Sequence, residues 1–176
     1  EGIYQYYKAV AAATEKPVVL YNVPGRTGVN MTAETTLRLA EIDNIVAVKE
    51  ASGNRTQILE ILEKRPEGFV VLSGNDDETL DLMKNGAEGI ISVASNVTPS
   101  MVADLAHNML EGKVAEAEAL HDRLLPLFRN CFVESNPIPA KASLHAMGFI
   151  QNEMRLPLVP ASQPAYDLMV QTVKEL

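Results

Sequence analysis

The sequence has very few of the features that mark secreted and membrane-embedded proteins. It contains one cysteine, Cys131, among its 176 residues, so an internal disulfide is excluded and a reducing compartment is expected. No apolar run approaches the roughly 18 residues of a membrane span, and the first residues lack the basic and apolar regions of a signal peptide. We therefore expect a cytoplasmic protein that does not enter a membrane.

Positive charge is also scarce. The chain has 15 lysines and arginines against 23 aspartates and glutamates, a formal net charge of −8, and its basic residues form no cluster. Nucleic acids and anionic membrane surfaces are therefore poor partners. An anionic small molecule would need a local basic site.

Motifs for nucleotides and metals are missing as well. The sequence contains no Gly-x-Gly-x-x-Gly motif and no P-loop. His107, His121 and His145 lie at spacings that fit no metal-ligand pattern. The acidic run at residues 76–78 stands at a predicted helix start, where the helix dipole explains it. We predict no metal and no nucleotide cofactor.

The chain does contain a regular alternation of strands and helices. Short apolar runs rich in β-branched residues predict strands at 18–22, 45–50, 69–72 and 89–93, with helices before and after each. After Gly112 the patterns are helical only, at 113–130, from Pro137 and from Gln163 to the end. Strands and helices that alternate in this way predict a parallel sheet with right-handed crossovers.

Short local patterns predict where the helices begin and which side they bury. Residues that can cap a helix are Thr32, Asn54, Asn75 and Asn136, and two of them start capping-box patterns, with Gln57 and with Glu78. The helix after Thr32 is expected to bury Leu37 and Ala40. The segment 23–28, rich in Pro and Gly, is expected to be a loop.

Polar residues follow every predicted strand, at the edge where active sites of parallel sheets form. They are Asn22, Glu50 with Ser52, Ser73 with Asn75, and Ser92 with Ser95. Lys49 stands at the carboxyl end of the second strand, on the same face as Ile45 and Ala47. A neutral amine in a poorly solvated site is a nucleophile toward carbonyl carbon, so Lys49 is a candidate Schiff-base lysine. The alternative is a solvated strand end.

Two further side chains would complete such a site. Tyr21 occupies the equivalent place on the neighbouring strand, and a phenol beside an amine can move protons while a carbinolamine forms and collapses. Arg26 follows on the adjoining loop and can hold a carboxylate with its guanidinium group. The alternatives are a core tyrosine with a satisfied hydroxyl and a surface arginine beside a glycine turn.

Gly74 and Ile91 are candidates for the floor of the site. A glycine after a strand is usually part of a turn, and an isoleucine in a strand is usually a core residue. Both alternatives stay open on the sequence alone.

Five motifs, in order along the chain, resemble those of the dihydrodipicolinate synthase family. They are Tyr21-Asn22-Val23-Pro24-Gly25-Arg26-Thr27-Gly28, Val48-Lys49-Glu50-Ala51-Ser52-Gly53-Asn54, Leu72-Ser73-Gly74-Asn75-Asp76, Gly89-Ile90-Ile91-Ser92-Val93 and Asn136-Pro137-Ile138-Pro139. The resemblance covers nearly the whole chain. It implies a Schiff-base lyase that condenses pyruvate with aspartate semialdehyde to 4-hydroxy-tetrahydrodipicolinate, on the diaminopimelate route to lysine.

The resemblance also implies a role for each candidate residue. Lys49 would form the imine with pyruvate and Tyr21 would shuttle protons. Arg26 would engage the carboxylate of aspartate semialdehyde, and Ile91 and Gly74 would border the bound pyruvate. The covalent imine would serve as electron sink, so no metal or organic cofactor is expected.

The family fold is a complete (β/α)8 TIM barrel followed by a small all-helical domain, and this chain would supply only part of it. We expect residues 1–112 to form the carboxyl-terminal half of the barrel, with four βα units, and residues 113–176 to form the helical domain. The family motifs of the first barrel half match no residue here. The resemblance further implies a homo-oligomer, a tetramer built as a dimer of dimers.

Two other functions stay open at this point. One is a related pyruvate-dependent aldolase of the N-acetylneuraminate lyase or keto-sugar aldolase type, which shares the imine step. The other is a catalytically silent fragment, because half a barrel exposes apolar strand edges and would aggregate or need its missing half.

Overall fold

The computed structural model describes all 176 residues and shows an α/β fold. Its helices and strands are α1 (Gly2–Ala12), β1 (Val18–Asn22), α2 (Pro24–Thr27), α3 (Ala33–Ala40), β2 (Ile45–Glu50), α4 (Arg55–Lys64), β3 (Val70–Ser73), α5 (Thr79–Lys84), β4 (Gly89–Ile90), α6 (Pro99–Leu110), α7 (Val114–Asn130), α8 (Ile138–Ala146) and α9 (Gln163–Lys174). Two short 3₁₀ turns, Asp76–Glu78 and Ala94–Asn96, precede α5 and α6. The predicted alternation of strands and helices is confirmed.

The four strands form one parallel sheet in the order β1-β2-β3-β4. Tyr21 pairs with Lys49 and Asn22 with Glu50, and in the next pair Lys49 stands beside Leu72. All four strands therefore end at the same edge of the sheet. The predicted parallel sheet is confirmed.

The core of the first compact unit, residues 1–91, lies between this sheet and its helices. The most completely buried side chains there are Leu20, Leu39, Ile45, Val48, Ile58, Ile61 and Val71. Strand β2 is covered on both faces, which is why its sequence reads as a continuous apolar run.

Two of the predicted helix caps are present in this unit. The Thr32 side chain accepts a hydrogen bond from the Thr35 amide, and the Asn54 side chain accepts one from the Gln57 amide. The capping box predicted at Asn75 is wrong, because a 3₁₀ turn begins there and the Asn75 side chain, instead of accepting from a backbone amide, donates through Nδ2 to the Glu78 carboxylate at 2.8 Å.

Three other predictions for this unit need correction. The segment 23–28 contains the short helix α2, because Pro24 presets a helical first position and Gly28, at φ 72°, ends the turn in the left-handed conformation. Strand β4 is shorter than predicted, since β3 ends at Ser73 and leaves no further partner. Helix α3 buries Ala33, Thr36 and Leu39, and the predicted Leu37 and Ala40 are only half-buried at the edge of that face.

The second compact unit, residues 92–176, is helical, and the helices predicted after Gly112 are present in it. Helix α6 packs on α7, and α8 on α9. Its core includes Leu105, Leu124, Leu127, Cys131 and Met169. Helix α8 begins at Ile138, one residue later than the sequence predicts, with Pro137 in the capping position.

None of the helices combines the length and the apolar character that crossing a membrane requires. The division into residues 1–91 and 92–176 follows the compactness of this chain. The boundary predicted after residue 112 concerns the domains of a complete barrel enzyme and stays a prediction.

Candidate active site

Lys49 and Tyr21 meet at the carboxyl edge of the sheet. The two residues are paired in the register of β1 and β2, and the Lys49 Nζ atom lies 4.2 Å from the centroid of the Tyr21 ring. An amine at this distance interacts with the negative face of the ring. Tyr21 is 44% exposed and Lys49 is half-buried, so both groups are accessible to a small molecule at this edge.

Gly74 lies against the Lys49 side chain, and the space there admits only glycine. A Cβ atom built on Gly74 would stand 3.1 Å from Lys49 Cε, 3.0 Å from the Glu50 carbonyl oxygen and 2.7 Å from the Ala51 Cβ. The Gly74 amide donates to that same carbonyl oxygen at 2.7 Å. The backbone of residue 74 therefore forms one wall of the lysine's surroundings.

Ile91 and Arg26 belong to the same compact unit, Ile91 directly after β4 and Arg26 in α2. Ile91 follows β4, is exposed, and its amide donates to the Ser73 carbonyl at 2.9 Å. Arg26 is exposed in the last turn of α2, within the loop that follows β1. The structure thus brings Tyr21, Lys49 and Gly74 together, with Ile91 at the same edge of the sheet and Arg26 on the adjoining loop.

A buried carboxylate lies directly behind this pair, on the opposite face of the same two strands. Glu50 is fully buried, and its Oε1 atom accepts a hydrogen bond of 2.8 Å from Asn22 Nδ2. Its Oε2 atom accepts from the Ser52 hydroxyl at 2.6 Å and from the Ser52 amide at 3.4 Å. Burial raises the pKa of the Glu50 carboxyl above its ordinary value, and hydrogen bonds from Ser52, Asn22 and Gln57 offset only part of that rise.

The same network fixes both ends of the loop that carries Arg26. Asn22 donates to the Met31 carbonyl at 3.1 Å and accepts from the Met31 amide at 2.9 Å. Gln57 of α4 also donates to the Met31 carbonyl, at 3.0 Å, and accepts from Asn30 at 2.8 Å. The side chains of Asn22 and Gln57 therefore close the base of this loop. None of these hydrogen bonds involves Lys49 or Tyr21.

The opposite edge of the sheet holds a different carboxylate. Glu88 accepts a hydrogen bond from the Val71 amide at 3.0 Å and forms an ion pair of 2.6 Å with Arg65. Arg65 also donates to the carbonyl groups of Phe69 and Gly86, both at 3.0 Å. This arrangement joins β3 to the start of β4, and Val71 pairs with Val48, the residue before Lys49 in β2.

A cavity of about 320 Å³ opens beside Tyr21, between α1 and the loop after β1. Its lining is largely apolar and comprises Gly2, Ile3, Tyr6, Tyr7, Tyr21, Asn22, Thr27, Val29 and Met31.

Among the described residues, no three His, Cys, Asp or Glu side chains are grouped so as to hold a metal ion.

The sequence prediction named Asn22 and Glu50 as polar residues after their strands but assigned them no role. The sequence did contain the information on which face of the sheet these two side chains occupy. Successive residues of a strand point to opposite faces, so a residue next to Lys49 in a strand covered on both faces must point into the protein. What the sequence does not reveal is which donors meet Glu50, because Ser52 and Asn22 approach it only in the folded sheet.

Comparison with known proteins places this geometry in a family. The sequence model described as "Dihydrodipicolinate synthetase family" matches residues 1–176. The 4-hydroxy-tetrahydrodipicolinate synthase of Parabacteroides distasonis is 51% identical over 177 residues, which cover 100% of this chain and 60% of that relative.

Solved structures agree with the sequence comparison. The dihydrodipicolinate synthase of Thermotoga maritima has a TM-score of 0.96 and 44% identity, over 99% of this chain and 60% of that one. The chloride-inhibited synthase of Acinetobacter baumannii, complexed with pyruvate, has a TM-score of 0.95 and 39% identity, over 99% of this chain and 60% of that one. The chain thus spans about three fifths of the length of the relatives it matches. It belongs to the dihydrodipicolinate synthetase family.

Proposed function

We propose that this chain is the carboxyl-terminal part of a 4-hydroxy-tetrahydrodipicolinate synthase and that Lys49 is its Schiff-base residue. The four βα units would be the second half of a (β/α)8 barrel, and the helices after them a carboxyl-terminal domain. The observation that carries the proposal is the pairing of Lys49 with Tyr21, in a chain half identical to a relative of that name.

The reaction begins with the amine of Lys49 in its neutral form. Its lone pair adds to the carbonyl carbon of pyruvate, the carbonyl oxygen takes up a proton, and the resulting carbinolamine loses water to leave a C=N bond. Tyr21 is the group placed to move these protons, since its ring lies 4.2 Å from the amine. The backbone of Gly74, which lies against Lys49, and Ile91 would border the pyruvate carbons.

The carbon–carbon bond forms in the second stage. The protonated imine draws electrons from the pyruvate methyl group, which loses a proton and attacks the aldehyde carbon of aspartate semialdehyde, whose oxygen becomes a hydroxyl. The amino group of that substrate then attacks the imine carbon, closes the ring and releases Lys49. Arg26, with its exposed guanidinium group on the loop after β1, would bind the substrate carboxylate.

The comparisons support this substrate pair over the related aldolases. The relative from Parabacteroides distasonis carries the synthase name, and the synthase from Acinetobacter baumannii was solved with pyruvate. The proposed reaction draws on no metal or organic cofactor, because the imine itself is the electron sink. A homotetramer and a cytoplasmic location stay predictions.

Borohydride trapping tests the proposal on the complete protein that carries this sequence. Incubation with pyruvate and borohydride should reduce the imine to a stable secondary amine, and peptide mass spectrometry should find the added carboxyethyl group on Lys49. Lys49→Ala should abolish the adduct. Lys8→Ala is the matched control, because Lys8 is exposed on α1 and should leave trapping unchanged.

Two results would contradict the proposal: an absent adduct in the wild-type protein, or an adduct that persists in Lys49→Ala. A coupled assay then separates the substrates. We expect turnover with aspartate semialdehyde and none with N-acetylmannosamine, which an N-acetylneuraminate lyase would accept as the aldehyde partner.

A further inference from the structure

We propose that Glu50 is a positioning residue, which holds the ends of β1 and β2 together from the far face of the sheet and thereby keeps Tyr21 aligned with Lys49. The inference rests on the proposed function, since it concerns the imine step. It assigns a use to a buried carboxylate that touches neither substrate nor the reacting atoms.

The register of the sheet is the first support. Tyr21 pairs with Lys49, and the next pair along the same ladder is Asn22 with Glu50. Successive side chains alternate between faces, so the hydrogen bond of 2.8 Å between Asn22 and Glu50 lies immediately behind the reactive pair. A change in the separation of the two strands at this point moves both pairs.

The second support is the cost of placing a carboxylate there. Glu50 is fully buried and Asn22 is 2% exposed, and a buried charge is unfavourable unless its oxygens accept hydrogen bonds. The groups that meet the two oxygens are N–H and O–H donors from Asn22 and Ser52. An apolar side chain would fill this space at lower cost, so the directional bonds are the property that a carboxylate adds.

The backbone of Glu50 gives a third connection to the site. Its carbonyl oxygen accepts the Gly74 amide at 2.7 Å, and Gly74 is the residue that lies against Lys49 Cε. Glu50 therefore contacts β1 through its side chain and the end of β3 through its backbone. The surroundings of Lys49 are fixed from both neighbouring strands by the same residue.

Glu50→Gln is the variant that tests this role, because it keeps the shape of the side chain and changes only its bonding. The new amide nitrogen must face either Asn22 Nδ2 or the Ser52 backbone amide, which are both donors, so one of these two hydrogen bonds is lost, whereas the Ser52 hydroxyl can turn to accept. We expect the rate of imine formation at saturating pyruvate to fall about tenfold, as a displacement of well under 1 Å would produce. The concentration of pyruvate that gives half the maximal rate should change less.

A double-mutant cycle with Tyr21→Phe separates positioning from a general loss of structure. If Glu50 acts by aligning Tyr21 with Lys49, its replacement should cost less than about twofold once the phenol hydroxyl is gone. If Glu50→Gln only loosens the fold, its effect should be the same in both backgrounds. Imine formation is followed by borohydride trapping in the complete protein.

Glu88→Gln is the matched control at the other edge of the sheet. Glu88 also binds a strand amide, so its replacement should lower stability, but the rate of imine formation per folded molecule should stay at the wild-type value. A comparable loss of rate in Glu88→Gln would overturn the inference, because it would show that any weakened strand end has this effect.

The remaining outcomes are also decisive. A wild-type protein without an adduct overturns the proposed function and this inference with it, whereas normal trapping in both wild type and Glu50→Gln overturns the inference alone. If Glu50→Gln does not fold, Ser52→Ala decides, since it removes the bond of 2.6 Å to Glu50 from a half-buried loop position. We expect a loss of about threefold, and an unchanged rate would overturn the inference.

Discussion

Each of the two edges of the parallel sheet holds a carboxylate that accepts a hydrogen bond from a strand or loop amide. The two carboxylates differ in the groups that stabilise their charge. At the amino edge Glu88 is partly exposed, and Arg65 pairs with it at 2.6 Å. At the carboxyl edge Glu50 is fully buried, and neutral donors from Asn22 and Ser52 meet it instead. The first arrangement adds an opposite charge to its hydrogen bonds, and the second uses hydrogen bonds from neutral donors alone.

This difference matches what each edge must do. An ion pair tolerates small shifts of its partners, because electrostatic attraction depends weakly on direction. Hydrogen bonds weaken steeply when their angles change, so the Glu50 network holds the strands in one arrangement. The strict arrangement is found at the edge where Lys49 and Tyr21 meet, and the tolerant one at the edge that carries no candidate site.

Removal of the Tyr21 hydroxyl, at the carboxyl edge of the sheet, should cause the largest loss of activity. We expect Tyr21→Phe to lower turnover by about 10²-fold or more, the usual contribution of a positioned proton donor or acceptor, with little change in stability since Tyr21 is largely accessible. Steady-state kinetics and thermal unfolding measure the two effects. Tyr4→Phe, which keeps its ring beneath Arg38, is the control and should retain activity; an active Tyr21→Phe would remove the proton role.

A methyl group at residue 74 should be the next most damaging change. In Gly74→Ala the new carbon would lie 3.1 Å from Lys49 Cε and 2.7 Å from the Ala51 Cβ, so the lysine or its neighbours must shift. We expect imine formation to fall about 10- to 100-fold. Gly25→Ala, where no atom stands within 4 Å of the added carbon, serves as control. Equal trapping rates in the two variants would show that Lys49 tolerates the displacement.

Loss of the Arg65 side chain, at the amino edge of the sheet, should lower stability and leave activity unchanged. Arg65→Ala removes the partner of Glu88 and two hydrogen bonds to carbonyl groups, and we expect a decrease of about 2 kcal/mol in the free energy of unfolding. Urea unfolding measures it. Arg55→Ala, whose ion pair with Asp81 is exposed and screened by solvent, should lower stability far less than Arg65→Ala does. A loss of activity per folded molecule in Arg65→Ala would contradict the separation of the two edges.

The smallest expected effect is a pH dependence that belongs to Glu50. Because its pKa is raised in the folded protein from the ordinary 4.5, the folded state binds this proton more tightly than the unfolded state. The resulting stabilisation is complete below pH 4.5 and is lost as pH rises through the folded-state pKa, by about 1.4 kcal/mol per pH unit at most.

Glu50→Gln cannot titrate, so it isolates this contribution. The difference in free energy of unfolding between wild type and Glu50→Gln should shift against the wild type as pH rises above 4.5. A difference that stays constant across this range, or shifts the other way, would show that the hydrogen bonds outweigh burial.

The sequence predicted the elements that local patterns and the alternation of strand residues determine. Strands β1 and β2 have the predicted bounds, and the meeting of Tyr21 with Lys49 follows because equivalent strand ends share one edge of a parallel sheet. The helix caps at Thr32 and Asn54 follow from side chains that reach amides three residues away. These features depend on residues close in sequence or on a simple repeat.

Features that depend on distant partners were missed. The length of β4 is set by where β3 ends, and the buried face of α3 by its packing on α1, β2 and α4. The closeness of Gly74 to Lys49 joins residues from different strands. The hydrogen bonds of Glu50 likewise need Asn22, which is 28 residues away, and no local pattern specifies that contact.

The closed base of the loop after β1 has a practical meaning for enzyme engineering. Asn22 and Met31 are hydrogen-bonded to each other in both directions. Residues 23–29, which include Arg26, therefore form a loop whose two ends are held together. If Arg26 binds the substrate carboxylate as proposed, exchanging the sequence of this loop should change which aldehydes are accepted, while the closed base keeps Lys49 and Tyr21 in place. A library directed at these seven positions would vary substrate choice separately from imine chemistry.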